Sequence, residues 1–97
     1  ENAYIKQVYF GVREHLQEID EMILRHAKGW KPERITPVSR SAIRLCIFEM
    51  KYMDDIPAAV SINEAIELVK THDDPKMRTF VNGVLHGAKT ELEEAAQ

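Results

Sequence analysis

The chain has 97 residues, enough for one domain, and 44% of them are hydrophobic, so a modest but real core can form. Its net charge of −3 has the wrong sign for holding nucleic acid by bulk electrostatics, because Lys and Arg supply most non-specific affinity for phosphate. One cysteine makes no intrachain disulfide and no apolar run reaches the ~20 residues of a membrane helix, so a soluble, cytoplasmic protein is expected.

Residues 3–28 read as one long amphipathic helix. Ile5, Val8, Val12, Leu16, Ile19 and Ile23 step by three or four, with Gly11 as a weak point or kink and Gly29 as the stop. Trp30 to Ile35 is a connector in which Pro32 starts a short turn. Thr36-Pro37 has the pattern of an N-cap followed by proline at the first helical position, opening a helix to about Met53. Ala42, Ile43, Leu45, Cys46, Ile47, Phe48, Met50 and Tyr52 make it apolar nearly all round, as a central buried helix should be. Cys46 is then expected to be a buried, inert thiol.

Asp54-Asp55-Ile56-Pro57 is the next turn, and a helix from about Val60 to Thr71 ends at His72-Asp73-Asp74-Pro75. Ser61 and Glu64 have the spacing of a capping box, while Ile62, Ala65, Ile66 and Val69 share one face. The last helix runs from about Lys76 to Glu94. Phe80, Val81, Val84, Leu85 and Ala88 keep helical period straight through Asn82-Gly83. A mid-helix glycine costs about 1 kcal/mol relative to alanine, so Gly83 is expected where another backbone comes close. No strand pattern competes, and the expected fold is an all-α bundle of four main helices in one domain, 1–97.

Little in this pattern supports bond chemistry. His15, His26, His72 and His86 are scattered, and no metal site is expected. Ser39, Ser41 and Ser61 lack a nucleophile context, and Glu64 and Glu67 are dipole-complementing charges near a helix start. No catalytic residue, no cofactor and no enzymatic activity are expected. Arg44 lies on a helix apolar on every side, so a paired guanidinium is expected, with Glu49 or Glu64 as candidate partners locking two helices; the other reading is an exposed RNA contact. Asn63 and Asn82 are helix-disfavoured amides, expected to cap or to bond between helices.

Charge is uneven. Residues 31–53 carry five Lys/Arg against two Glu, and residues 54–75 carry one Lys against six acids. Two candidate surfaces follow. Lys76, Arg78, Thr79 and Asn82 offer cations and an amide at a helix start, which suits phosphate and unpaired bases of RNA. Trp30, Glu33, Arg34, Ser39 and Arg40 mix an aromatic with both charge signs, as protein interfaces do, although Trp30 would also serve to cover the bundle end.

Three blocks in fixed order carry a family resemblance: Ala42-Ile43-Arg44-Leu45 with Phe48-Glu49-Met50, the stretch from Ile56-Pro57 to Lys70, and Phe80 to Leu85. Together, over about Tyr4 to Leu92, the chain resembles the NusB family of bacterial transcription antitermination factors. The resemblance implies the NusB-like helical fold and binding of boxA RNA, together with the ribosomal small-subunit protein NusE, in a transcription elongation complex. It places the Lys76–Asn82 region on the RNA face and the Trp30–Arg40 edge against NusE. Family members carry a further N-terminal stretch with an arginine-rich segment and two helices, so this chain is expected to be a truncated form that binds RNA weakly. The rival readings are an accessory RNA-positioning domain of a ribosomal RNA methyltransferase, and a helical interaction module, homodimeric or bound to protein partners.

Overall fold

In a computed structural model, which describes residues 2–97, the chain forms five helices: α1 (Ala3–Glu14), α2 (Leu16–His26), α3 (Pro37–Tyr52), α4 (Ala58–His72) and α5 (Pro75–Ala95). A 3-10 turn at Pro32–Arg34 links α2 to α3, and the described residues contain no strand. The all-α reading therefore holds, with five helices where four were expected.

The extra helix arises because the predicted 3–28 helix divides at His15, whose backbone leaves the helical region at φ −108°, ψ 19°. α2 buries Ile19, Met22 and Ile23, whereas α1 buries no residue completely. The break lets α2 follow the core while α1 lies across α3. Gly11 is not the break; a Cβ there would collide with the Phe48 ring, so the glycine is what admits that ring between α1 and α3. His15 stacks on Tyr52 with ring centroids 4.2 Å apart, which pins the bend to α3.

α3 is the centre of the bundle, as its composition requires. Thr36 Oγ1 accepts from the Ser39 amide at 3.2 Å and Pro37 occupies the first turn, so the expected cap forms. Ile43 and Ile47 are fully buried and pack with Val69, Val81, Leu85 and Ala88 of α4 and α5. Each of these isoleucine, valine and leucine side chains stabilises the fold by roughly 1.5–3 kcal/mol relative to exposure. Cys46 is buried among them, and burial pushes its thiol up to about 12, which leaves it protonated and inert. The Ser39 hydroxyl donates to Asp73 Oδ2 at 2.8 Å and the Thr36 hydroxyl donates to the same oxygen. These bonds hold the Asp73 carboxyl below its ordinary value and fasten the α4–α5 loop to the start of α3.

Several interhelical expectations fail in instructive ways. α4 starts directly after Pro57, whose carbonyl accepts from the Ser61 amide at 3.2 Å. Ser61 is thus already inside the helix and forms no capping box with Glu64; its hydroxyl is buried without a partner, while Glu64 is exposed. Arg44 does not reach Glu49 or Glu64. It donates through Nε and Nη2 to both oxygens of Asp20 on α2, each at 2.9 Å. Glu49 instead accepts from the Tyr4 hydroxyl, which joins α1 to α3; burial and this carboxylate push the phenol up to about 12. Asn63 and Asn82 are exposed and make no interhelical bond. Gly83 is exposed too, and a Cβ there would touch nothing. The close approach lies one turn later, at Gly87, where a Cβ would come within 2.5 Å of His26 Nδ1. No helix among the described residues is long and apolar enough to cross a membrane.

Candidate nucleic-acid interface

The most chemically distinctive surface is a cleft where the end of α2 meets the first half of α5. Gly29 makes it possible: its φ of +80° is a left-handed conformation that glycine adopts without strain, and it turns the chain sharply after α2. The next residue, Trp30, donates its amide to Ala27 O at 3.0 Å. Its indole is thereby laid on Phe80 of α5, with ring centroids 4.6 Å apart and planes tilted by 42°. A cavity of about 520 Å³ opens beside this pair, with His26, Lys28, Lys76, Thr79 and Gly83 around it. Its lining includes two lysines and a histidine but no carboxylate, on a chain whose net charge is −3.

α5 supplies one wall through helical spacing. Lys76, Thr79 and Gly83 fall on one face, and Gly83 keeps that wall open because it has no side chain. Asp74 caps the helix by accepting from the Met77 amide at 2.9 Å. Thr79 Oγ1 donates to Pro75 O at 3.2 Å, which fixes the hydroxyl at the cleft edge. The other wall is set by His26, whose Nε2 lies 2.7 Å from Glu91 Oε1. Arg25 donates to the same carboxylate through Nε at 3.2 Å and Nη2 at 2.6 Å. Those bonds, Arg25 foremost, hold the Glu91 carboxyl down at about 2, so it stays charged and ties α2 to α5.

The indole also borders a second cavity of about 310 Å³, with Arg34, Thr36, Asp74, Lys76 and Met77 in its lining. Trp30 and Lys76 line both cavities.

The four residues predicted to face RNA are therefore divided. Lys76 and Thr79 line the cleft, whereas Arg78 and Asn82 sit on another face of α5 and do not. The predicted protein edge is divided as well. Glu33 and Arg34 are exposed in the 3-10 turn, but Ser39 is completely buried and bonded to Asp73, so it presents nothing to a partner. Arg40 donates through Nη2 to Pro32 O at 2.7 Å and Ile35 O at 3.3 Å, which braces the connector. Trp30 belongs to the cleft. His26, Lys28 and Phe80 also line the cleft and were not singled out for it by the sequence pattern.

Across the molecule, Tyr4, Leu45, Ile56, Val60, Ser61 and Leu68 help line an apolar groove of about 530 Å³ between α1, α3 and α4. Asp54, Asp55, Glu64 and Glu67 lie exposed on α4 and the turn before it. Among the described residues no group of three or more His, Cys, Asp or Glu side chains is placed to hold a metal. The cleft thus sets two lysines beside the Trp30–Phe80 pair.

The NusB family model matches residues 1–90. The transcription antitermination protein NusB of Bacillus velezensis is 51% identical over 92 residues, covering 95% of this chain and 71% of that protein. The corresponding protein of Bacillus subtilis is 47% identical over 94 residues, covering 97% of this chain and 72% of that one. A solved structure of NusB from T. maritima superposes with a TM-score of 0.81 at 35% identity, covering 88% of this chain and 60% of that chain.

Proposed function

The chain belongs to the NusB family, and on that premise we propose that it serves transcription antitermination in the bacterial cytoplasm by assembly, without bond chemistry. It binds a boxA element of nascent ribosomal-operon RNA together with NusE, and the pair helps keep RNA polymerase from terminating. The observation that carries this reading is the carboxylate-free cleft holding Lys28, Lys76 and the Trp30–Phe80 pair on an otherwise acidic chain. The two exposed lysines supply local attraction for phosphate. The exposed Glu33 and Arg34 beside the cleft remain available to NusE, with Arg40 holding their turn in shape.

Fluorescence anisotropy of a labelled boxA-like RNA tests the reading, with a scrambled RNA as control, two salt concentrations, and NusE present or absent. Selective binding that NusE tightens is expected. Equal, weak binding of both RNAs in every condition would refute it. A second reading, self-association, is favoured by the exposed Ile5, Tyr9 and Phe10 of α1, since contiguous apolar surface drives contact between copies. Sedimentation against concentration decides it: a constant monomer mass removes that reading.

A further inference from the structure

We infer that Trp30 is a base-stacking residue: its indole carries an unpaired base of single-stranded RNA, with Lys28 and Lys76 on the flanking phosphates. This rests on the RNA reading above and adds to it the residue that carries the base. Three observations support the assignment. The indole is half-buried and held against Phe80 at 4.6 Å, so a stacking surface exists before the ligand arrives and little side-chain freedom is lost on binding. Trp30 lines two cavities, of about 520 and 310 Å³, so space for a ligand opens beside the ring in both. Lys76 also lines both, so a cation accompanies the ring in each cavity.

The charges around the ring fit the same ligand. Lys28 and Lys76 are exposed beside it. Asp74, which also lines the smaller cavity, is engaged as the cap of α5. A tryptophan that only covered the bundle end would need neither cavity nor any of these cations. Stacking on an aromatic face accepts any base, so Trp30 contributes affinity for unpaired RNA, and sequence preference must come from elsewhere.

Trp30 is the single tryptophan of the chain, so its own emission reports the contact. The unmodified protein, with NusE present, is titrated with the boxA-like RNA and separately with inorganic polyphosphate, which meets the lysines but has no base. Quenching by RNA and none by polyphosphate is expected. W30A should weaken RNA binding roughly ten- to a hundredfold while leaving the slope of affinity against salt unchanged. W30F, which keeps a ring, should retain most of the affinity, and circular dichroism shows whether each variant is folded. RNA that binds with no change in Trp30 emission would overturn the stacking assignment and leave the RNA reading standing. Failure of any RNA to bind would remove both. Because the fluorescence arm needs no substitution, an unfolded W30A does not rescue the idea.

Discussion

Replacing Ser61 with alanine is expected to stabilise this fold, although it deletes a side-chain oxygen from a well-packed helix. The Ser61 hydroxyl is buried in the second turn of α4 with no hydrogen-bond partner, whereas in the unfolded chain water satisfies it. Burying an unpaired hydroxyl costs roughly 1–3 kcal/mol, and serine is a poorer helix former than alanine by about 0.5 kcal/mol. Against this stands the packing of one oxygen atom, which makes only a few contacts of ~0.1–0.2 kcal/mol each. The net expectation is a gain of about 1–2 kcal/mol, and each kcal/mol raises the melting temperature of a domain this size by ~4–8 °C. Ser39 is the natural contrast, because it is equally buried but donates to the Asp73 carboxylate. S39A should therefore destabilise by about 1.5–3 kcal/mol, the worth of a hydrogen bond to a charged group. Urea titrations followed by circular dichroism measure both variants, with the midpoint moving and the slope unchanged. If both serines shift stability in the same direction, hydrogen-bond satisfaction is not what separates them and the reasoning fails.

The glycines of the helices should behave oppositely. G11A forces a methyl into the Phe48 ring and should cost about 1–3 kcal/mol, while G83A meets open space and should gain up to ~1 kcal/mol; thermal melts of the two variants read the difference. Glu18 and Glu91 both sit at about 2 in the folded chain, the first held mainly by Lys51 and Tyr52 and the second mainly by Arg25 and His26. The unfolded chain binds protons more readily at these sites, so their contribution is complete above the ordinary glutamate value of 4.5 and is lost as pH falls toward 2. Both carboxylates are about one-third exposed, so the loss should be small and weaker in high salt; melting temperatures between pH 7 and pH 3 should show it, and E91Q should flatten the curve. K76Q should weaken RNA binding uniformly and lower the salt slope by about 0.7, the value for one phosphate of a single strand; an unchanged slope would take Lys76 off the strand.

Family membership accounts for the overall agreement between the residues and the helical fold, yet the candidate site was only half legible. Lys76 and Thr79 were found because cations and hydroxyls at a helix start stand out in a linear reading. Arg78 and Asn82 were grouped with them by proximity along the chain, but their positions on the helix turn them to another face. Trp30 was assigned to the neighbouring edge because nothing in the connector shows that the left-handed Gly29 folds it back onto Phe80.

The amino-acid order alone determined what depends on neighbours within one or two helical turns. It set the all-helical class, the central position of α3, the Thr36-Pro37 start and the buried Cys46, since apolar spacing and capping chemistry act over a few residues. The three-dimensional packing decided everything that depends on how each helix is rotated against the next. It paired Arg44 with Asp20, left the Ser61 hydroxyl without a partner, placed rings at Gly11 and Gly87 while leaving Gly83 bare, and closed a cleft from Trp30 and Lys76. Those outcomes follow from the sum of all core contacts, in which a rotation of a few tens of degrees moves a side chain from one neighbour to another at almost no cost in local helical energy.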